Sequence, residues 1–195
     1  MKKGKIKKRL IIREGYKLMR VNGYLNTSVD EIVGSLKIPK GSFYYYFKTK
    51  EDFAAEVLMY YIANVSRMLE NVLNDESISP KQRIIKLYSD YIDNFANKGG
   101  TVYGNFATNI LQEIGGYNQK IKDIALSFFE LVRFQHVECL QQARRSGEID
   151  RNQDVEKLVM LIIYSWEGAL LRVKSSGNIR SLFAFRELIR DFILK

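Results

Sequence analysis

Lys40, Gly41 and Ser42 stand immediately before Phe43, Tyr44, Tyr45 and Tyr46. The ammonium group can neutralise an anion, the glycine lets a backbone approach a surface closely, and the Ser and Tyr hydroxyls can donate or accept hydrogen bonds. Such side chains within about one helical turn suit a polyanion that also displays hydrogen-bonding edges and methyl groups. The competing reading is an aromatic core stripe, but three consecutive tyrosines cannot all share one face of a helix. Phe43 and Phe47, four apart, can share one, and would seat the helix on its neighbours.

Charge along the chain points the same way. Residues 1–50 hold thirteen Lys and Arg against Glu14, Asp30 and Glu31, whereas the remainder holds 18 basic and 19 acidic side chains, so the net charge of +9 lies wholly in the first quarter. This asymmetry fits a polyanion-binding module joined to a near-neutral body, although Lys2, Lys3, Lys5, Lys7, Lys8 and Arg9 could also form a merely solvated tail. With 195 residues, 46% hydrophobic content and two prolines, the chain is expected to be ordered and helix-rich. The basic start leads into an amphipathic pattern and does not read as a secretory signal. The apolar run Leu158 to Val173 contains Glu167 and is shorter than the roughly 20 residues that span a bilayer. Cys139 is the one cysteine, so neither an internal disulfide nor a Cys-based zinc site is expected. A cytoplasmic protein without cofactor or metal is predicted.

The elements that must position these residues are helices. Leu10, Ile11, Tyr16, Leu18 and Met19, with Ile6, predict a first helix ending at Asn22-Gly23. Ser28-Val29-Asp30-Glu31 reads as a capping box opening a short second helix with Ile32, Val33 and Leu36 inward. Lys37-Ile38-Pro39 ends it, and Pro39 suits the first turn of a third helix, Lys40 to Phe47. Thr49 caps a long fourth one. Two short helices joined by a tight turn are the geometry of a major-groove reader.

The runs Gly23 to Ile32 and Ile38 to Lys50 resemble the DNA-binding domain of TetR/AcrR-family transcriptional regulators, with matching residues from Arg9 to about Phe53. Gly15 departs from the pattern, since such proteins usually carry alanine there, at a helix-propensity cost of about 1 kcal/mol. The resemblance implies an all-α protein: an N-terminal three-helix helix-turn-helix domain over residues 1–50, with its motif at 28–47, and a larger helical effector-binding and dimerisation domain over 51–195. It implies double-stranded operator DNA as partner, contacted by Thr27, Ser28, Val29, Lys40, Gly41, Ser42, Tyr44, Tyr45, Tyr46 and Lys50. Ser42, Tyr44 and Tyr45 are the candidates for sequence readout, and Lys40 and Gly41 for placement on the backbone. Ser28 and Val29 lie at a helix start that can hold a phosphate, and Lys50 is expected near the backbone too. Tyr46 is placed at the DNA by resemblance alone.

After the fourth helix, Ser79-Pro80 with Gln82 predicts another that ends near Lys98-Gly99-Gly100. Further helices are expected over Gly104–Ile114, Ile121–Arg145 and Asn152–Lys174, with a terminal one carrying Leu182, Phe185, Leu188 and Phe192. The helix through Val155, Leu158, Ile162, Trp166, Leu170 and Val173 has little polar face, so it must be covered on several sides. By resemblance, helices 121–145 and 155–174 pair with their copies in a homodimer, while a purely intramolecular core is the alternative. Tyr103 to Glu113 resembles the NemR/AcuR-like subgroup, which often has cysteine after the glycine. Asn105 occupies that position, so covalent capture of electrophiles cannot be carried over. Tyr91, Phe95, Tyr103, Phe106, Asn109, His136 and Trp166 are candidate lining residues of an apolar pocket for a small-molecule effector, or else ordinary core. His136 and Cys139, three apart, lack a second His or Cys for a metal site. No phosphate-binding glycine loop, serine elbow or paired metal motif points to an enzyme, and the rival non-enzymatic class is an architectural DNA-binding protein.

Overall fold

The computed structural model describes residues 2–97 and 103–194, with side chains left out for Lys2, Lys3 and Ile6. The helix end expected at Lys98–Gly100, and the side chains of Lys2, Lys3 and Ile6, lie outside what is described. Among the described residues the chain is helical, without strands: α1 (Lys2–Asn22), α2 (Val29–Ser35), α3 (Lys40–Tyr46), α4 (Lys50–Leu73), α5 (Pro80–Asn97), α6 (Phe106–Ile114), α7 (Gln119–Arg145), α8 (Val155–Ser176) and α9 (Arg180–Leu188), continued by a π-helical turn, Ile189–Ile193.

Local chemistry sets the boundaries. The Ser28 hydroxyl accepts from the Glu31 amide at 3.0 Å and starts α2, but the Glu31 carboxylate accepts from the Asn22 side chain at 3.1 Å, so half of the expected capping box forms. α2 closes through Lys37, a non-glycine residue at φ 53, with the Ile38 amide donating to the Val33 carbonyl at 3.0 Å. Pro39 stands just outside α3 as its cap residue instead of inside the first turn. Thr49 Oγ1 accepts from the Asp52 amide at 3.0 Å and opens α4. At α5 the expected local Ser79/Gln82 signal is replaced by a distant one: Ser79 donates its hydroxyl to Glu148 at 2.5 Å, and the Lys81 amide donates to the same carboxylate oxygen at 3.1 Å. Asn118 accepts from the Ile121 amide at 3.0 Å, so α7 begins at Gln119 and not at Ile121. Asp154 caps α8, whose first residue is Val155 and not Asn152.

The chain forms two compact units, Met1–Asn64 with Phe106–Phe128, and Val65–Asn105 with Phe129–Lys195. In the first, Phe43, Phe47 and Phe53 are buried with ring centroids 4.8–5.1 Å apart. Each such burial contributes about 1.5–3 kcal/mol, which is what fixes α3 against α1 and α4. Gly15 belongs to this packing: a Cβ there would stand 2.2 Å from Phe53 Cζ, so the glycine makes room for the ring. In the second unit α5, α8 and α9 and the later parts of α4 and α7 enclose Ile84, Ile92, Leu140, Val159, Ile162 and Leu182. The buried Arg83 donates to the carbonyls of Ile78 (3.0 Å) and Leu73 (3.3 Å) and to Gln142 (2.9 Å), closing the end of α4.

Candidate nucleic-acid interface

α3 divides its side chains as a reading helix requires. Phe43 and Phe47 are 0% and 2% exposed, whereas Tyr44 and Tyr45, on the other side, are 50% and 81% exposed. Ser42 and Tyr46 are half-buried, and Gly41 is exposed with nothing within 4 Å of where a Cβ would stand. Nothing within the protein therefore calls for glycine at position 41.

The surrounding polar residues hold α2 and α3 in place. Lys40 pairs with Asp30 at 2.9 Å, and this hydrogen bond and charge raise the pKa of its ammonium group. Ser28 and Val29, at the start of α2, are exposed and half-buried. Thr27 is fully buried and donates its hydroxyl to the Gly23 carbonyl at 2.7 Å, so its side chain faces inward and tightens the loop before α2. Lys50 donates to the Tyr24 carbonyl at 2.7 Å and lies 4.2 Å from the Tyr24 ring centroid; partial burial lowers its pKa. Its charge is thus engaged with the same loop that Thr27 holds.

Two contacts in this unit could not be found from local pattern. Glu113, on α6, accepts from the Leu25 amide at 2.8 Å, and Gly23, at φ 83, faces it so closely that a Cβ would stand 2.9 Å from the carboxylate. Lys120, on α7, pairs with Asp52 at 2.9 Å. Their partners are 88 and 68 residues away, and the residue types alone carry no sign of the pairing.

The predicted pocket residues are divided between the two units. His136 is buried; its Nδ1 lies 2.8 Å from the Val132 carbonyl and its Nε2 2.9 Å from the Tyr88 hydroxyl. A carbonyl can only accept, so Nδ1 carries the proton and Nε2 accepts from Tyr88. Burial lowers the imidazole pKa to about 4 and raises that of the Tyr88 hydroxyl. Trp166 meets Tyr88, Tyr91 and Phe185, each at 5.0 Å between centroids. Tyr88 and Phe185 were absent from the predicted set, although Tyr88 lies three residues before Tyr91 on α5. Phe95 is partly buried against the same core, and Tyr103 is half-buried. Phe106 and Asn109 belong to the first unit, where Phe106 packs on Tyr16 and Tyr61 at 5.2 and 5.5 Å. Asn105 donates to Glu167 at 2.7 Å. Burial raises the Cys139 thiol to about 11, which suppresses the thiolate. Among the described residues no group of three or more His, Cys, Asp or Glu is placed to hold a metal, and no helix is long and apolar enough to cross a membrane.

Comparison with known proteins matches residues 11–57 to the family of bacterial regulatory proteins of the tetR type and residues 80–189 to the tetracyclin repressor-like C-terminal domain. The chain is 27% identical to the HTH-type transcriptional repressor DhaR of Mycobacterium sp. (strain GP1), over 94% of this chain and 90% of the relative. It is 29% identical to the transcriptional regulator AcuR of Cereibacter sphaeroides, over 95% and 84%. The crystal structure of a regulatory protein TetR from Rhodobacter sphaeroides superposes with a TM-score of 0.84 at 27% identity, covering 93% of this chain and 95% of that one.

Proposed function

The chain belongs to the tetR family of bacterial regulatory proteins and is a DNA-binding transcriptional regulator, and from that premise we propose that it is a homodimeric repressor released from a palindromic operator by a small-molecule effector. The observation that carries this reading is the exposure of Tyr44 and Tyr45 on a helix locked from behind by Phe43 and Phe47. In this proposal Ser42, Tyr44 and Tyr45 meet base edges, while Lys40, Gly41, Tyr46, Ser28, Val29 and Lys50 lie along the sugar-phosphate wall. Thr27 supports them from within the loop. DNA reading is assigned to residues 1–50, and effector binding and dimerisation to residues 51–195, in the cytoplasm where the DNA lies.

The dimer surface is assigned to α7 and α8. Leu161, Tyr164 and Leu171 are 54%, 69% and 62% exposed, and their spacing puts them on one face of α8. Gly168 lies on that face, and a Cβ there would meet nothing within 4 Å. A palindromic operator requires the two α3 helices of such a dimer to lie about 34 to 36 Å apart, one turn of DNA. The effector is assigned to the aromatic group around Tyr91, His136 and Trp166, with Phe95 packed against the same core, Tyr103 as a further candidate contact, and Asn105 and Glu167 as polar handles. Release follows if the effector prefers the wider-set dimer by several kcal/mol.

Fluorescence anisotropy and footprinting on DNA upstream of the protein's own gene, across a salt series, test the reading. A protected palindrome with affinity falling steeply in salt is the expected result. Binding without a preferred site anywhere in a genome-wide selection of fragments would overturn it in favour of an architectural role.

A further inference from the structure

Gly4, Lys7 and Lys8 share one face of α1, because positions i, i+3 and i+4 align on a helix. Each lies beside α3 or a residue that anchors it. A Cβ at Gly4 would stand 3.6 Å from the Tyr46 hydroxyl. Lys7 Nζ donates to Ser42 Oγ at 3.1 Å. Lys8 Nζ donates to Glu56 at 2.5 Å and sits 5.4 Å from the Phe47 ring centroid. Lys8 thereby ties α1 to α4 and to the Phe47 ring at the end of α3, beside the contact of Lys7 with Ser42.

A serine hydroxyl carries one proton and can turn it toward DNA or away from it. An ammonium group only donates. With Lys7 occupying a lone pair of Ser42 Oγ, a hydroxyl proton pointing back at the ammonium would meet like partial charge, so the O–H points away from Lys7, and the bond it accepts strengthens it as a donor. We propose that Lys7 is a positioning residue for sequence readout: by holding Ser42 as a hydrogen-bond donor, it makes this position of α3 select a base edge that presents an acceptor. Guanine O6 or N7, adenine N7 and thymine O4 satisfy that demand in the major groove, and the cytosine amino group does not. The first turns of α1 thereby act on specificity as well as supplying charge. The inference rests on α3 being the groove-reading helix.

The test is selection of full-length protein on randomised duplex DNA, with the wild type, Lys7→Met, Lys7→Arg and Ser42→Ala compared at one salt concentration and then titrated on the selected sites. Wild type is expected to prefer an acceptor-bearing base at one position of each half-site. Ser42→Ala and Lys7→Met should both relax that same position, by about threefold to tenfold as suits one hydrogen bond, and leave the other positions intact. Lys7→Arg, which still donates, should keep the preference. If Lys7→Met weakens binding to every sequence equally and leaves all preferences in place, Lys7 is only a phosphate counter-charge and the inference fails. It fails equally if Lys7→Met and Ser42→Ala relax different positions, or if Ser42→Ala relaxes none. A wild type that selects no motif would instead overturn the reading of α3 itself, before any variant is compared.

Discussion

Tyr45 projects into solvent, and its ring meets that of Tyr46 edge-on at 4.8 Å. Truncating it should therefore leave the fold intact and act on DNA alone. Tyr45→Ala is expected to lower affinity for the operator about tenfold, the scale of one good base contact, with little change for unrelated DNA or in thermal midpoint. Competitive anisotropy with operator and random duplexes checks this, and unchanged operator affinity would remove Tyr45 from the groove. His136 shows how burial alone can tie a residue to pH. The unfolded imidazole takes a proton near its ordinary 6.5, whereas the buried one resists until about 4. Between those values the unfolded state holds more protons, so stability rises with pH and is lost as pH falls through this window. At about 1.4 kcal/mol per tenfold in proton affinity, the loss is on the order of 3 kcal/mol. Urea titrations at pH 7 and pH 4.5 should show it, and His136→Gln, which keeps an amide donor and acceptor but cannot titrate, should flatten the dependence.

At the scale of elements, the contact between α1 and α4 decides what Gly15 is for. Helix propensity alone makes Gly15→Ala favourable by about 1 kcal/mol. The Phe53 ring, 2.2 Å from the added Cβ and fully buried, reverses the sign. Overpacking of this kind costs about 1–3 kcal/mol, so Gly15→Ala should lower the urea midpoint. Phe53→Leu, which trims the ring, should make the same substitution less harmful, because the two sites are coupled. A stabilising Gly15→Ala in the wild-type background would show that the ring moves aside freely. The same helices explain why Lys7 escapes a reading by periodicity: its partner Ser42 lies 35 residues on, and only the packing of α1 along α3 brings them together.

For the whole molecule, the proposed dimer turns on the exposed face of α8. Leu171→Asp places a charge at the C-terminal end of that stripe, and under this reading the charge must be desolvated when a second copy covers it. Sedimentation velocity is expected to show a monomer, with far-UV circular dichroism unchanged because Leu171 is 62% exposed in the single chain. Operator affinity should fall with the loss of the second half-site contact. A variant that remains dimeric would move the interface away from α8.

Sequence by itself determined the helical class, the helix-turn-helix, and the division of α3 into Phe43 and Phe47 inward and Tyr44 and Tyr45 outward. Those features rest on local rules: helical period, proline and capping chemistry, and the alternation of apolar with polar side chains, all written within a few residues of where they act. The family pattern was legible for the same reason. Tertiary structure alone decided that Thr27 faces inward, that Lys50 serves the Tyr24 carbonyl, that Glu148 caps α5, and that Phe106 packs in a different unit from Trp166. It also decided that Tyr88 and Phe185 complete the aromatic group around Trp166. Each depends on which helices lie side by side, and that follows from the summed burial of many side chains across the chain, a quantity that no single stretch of residues contains.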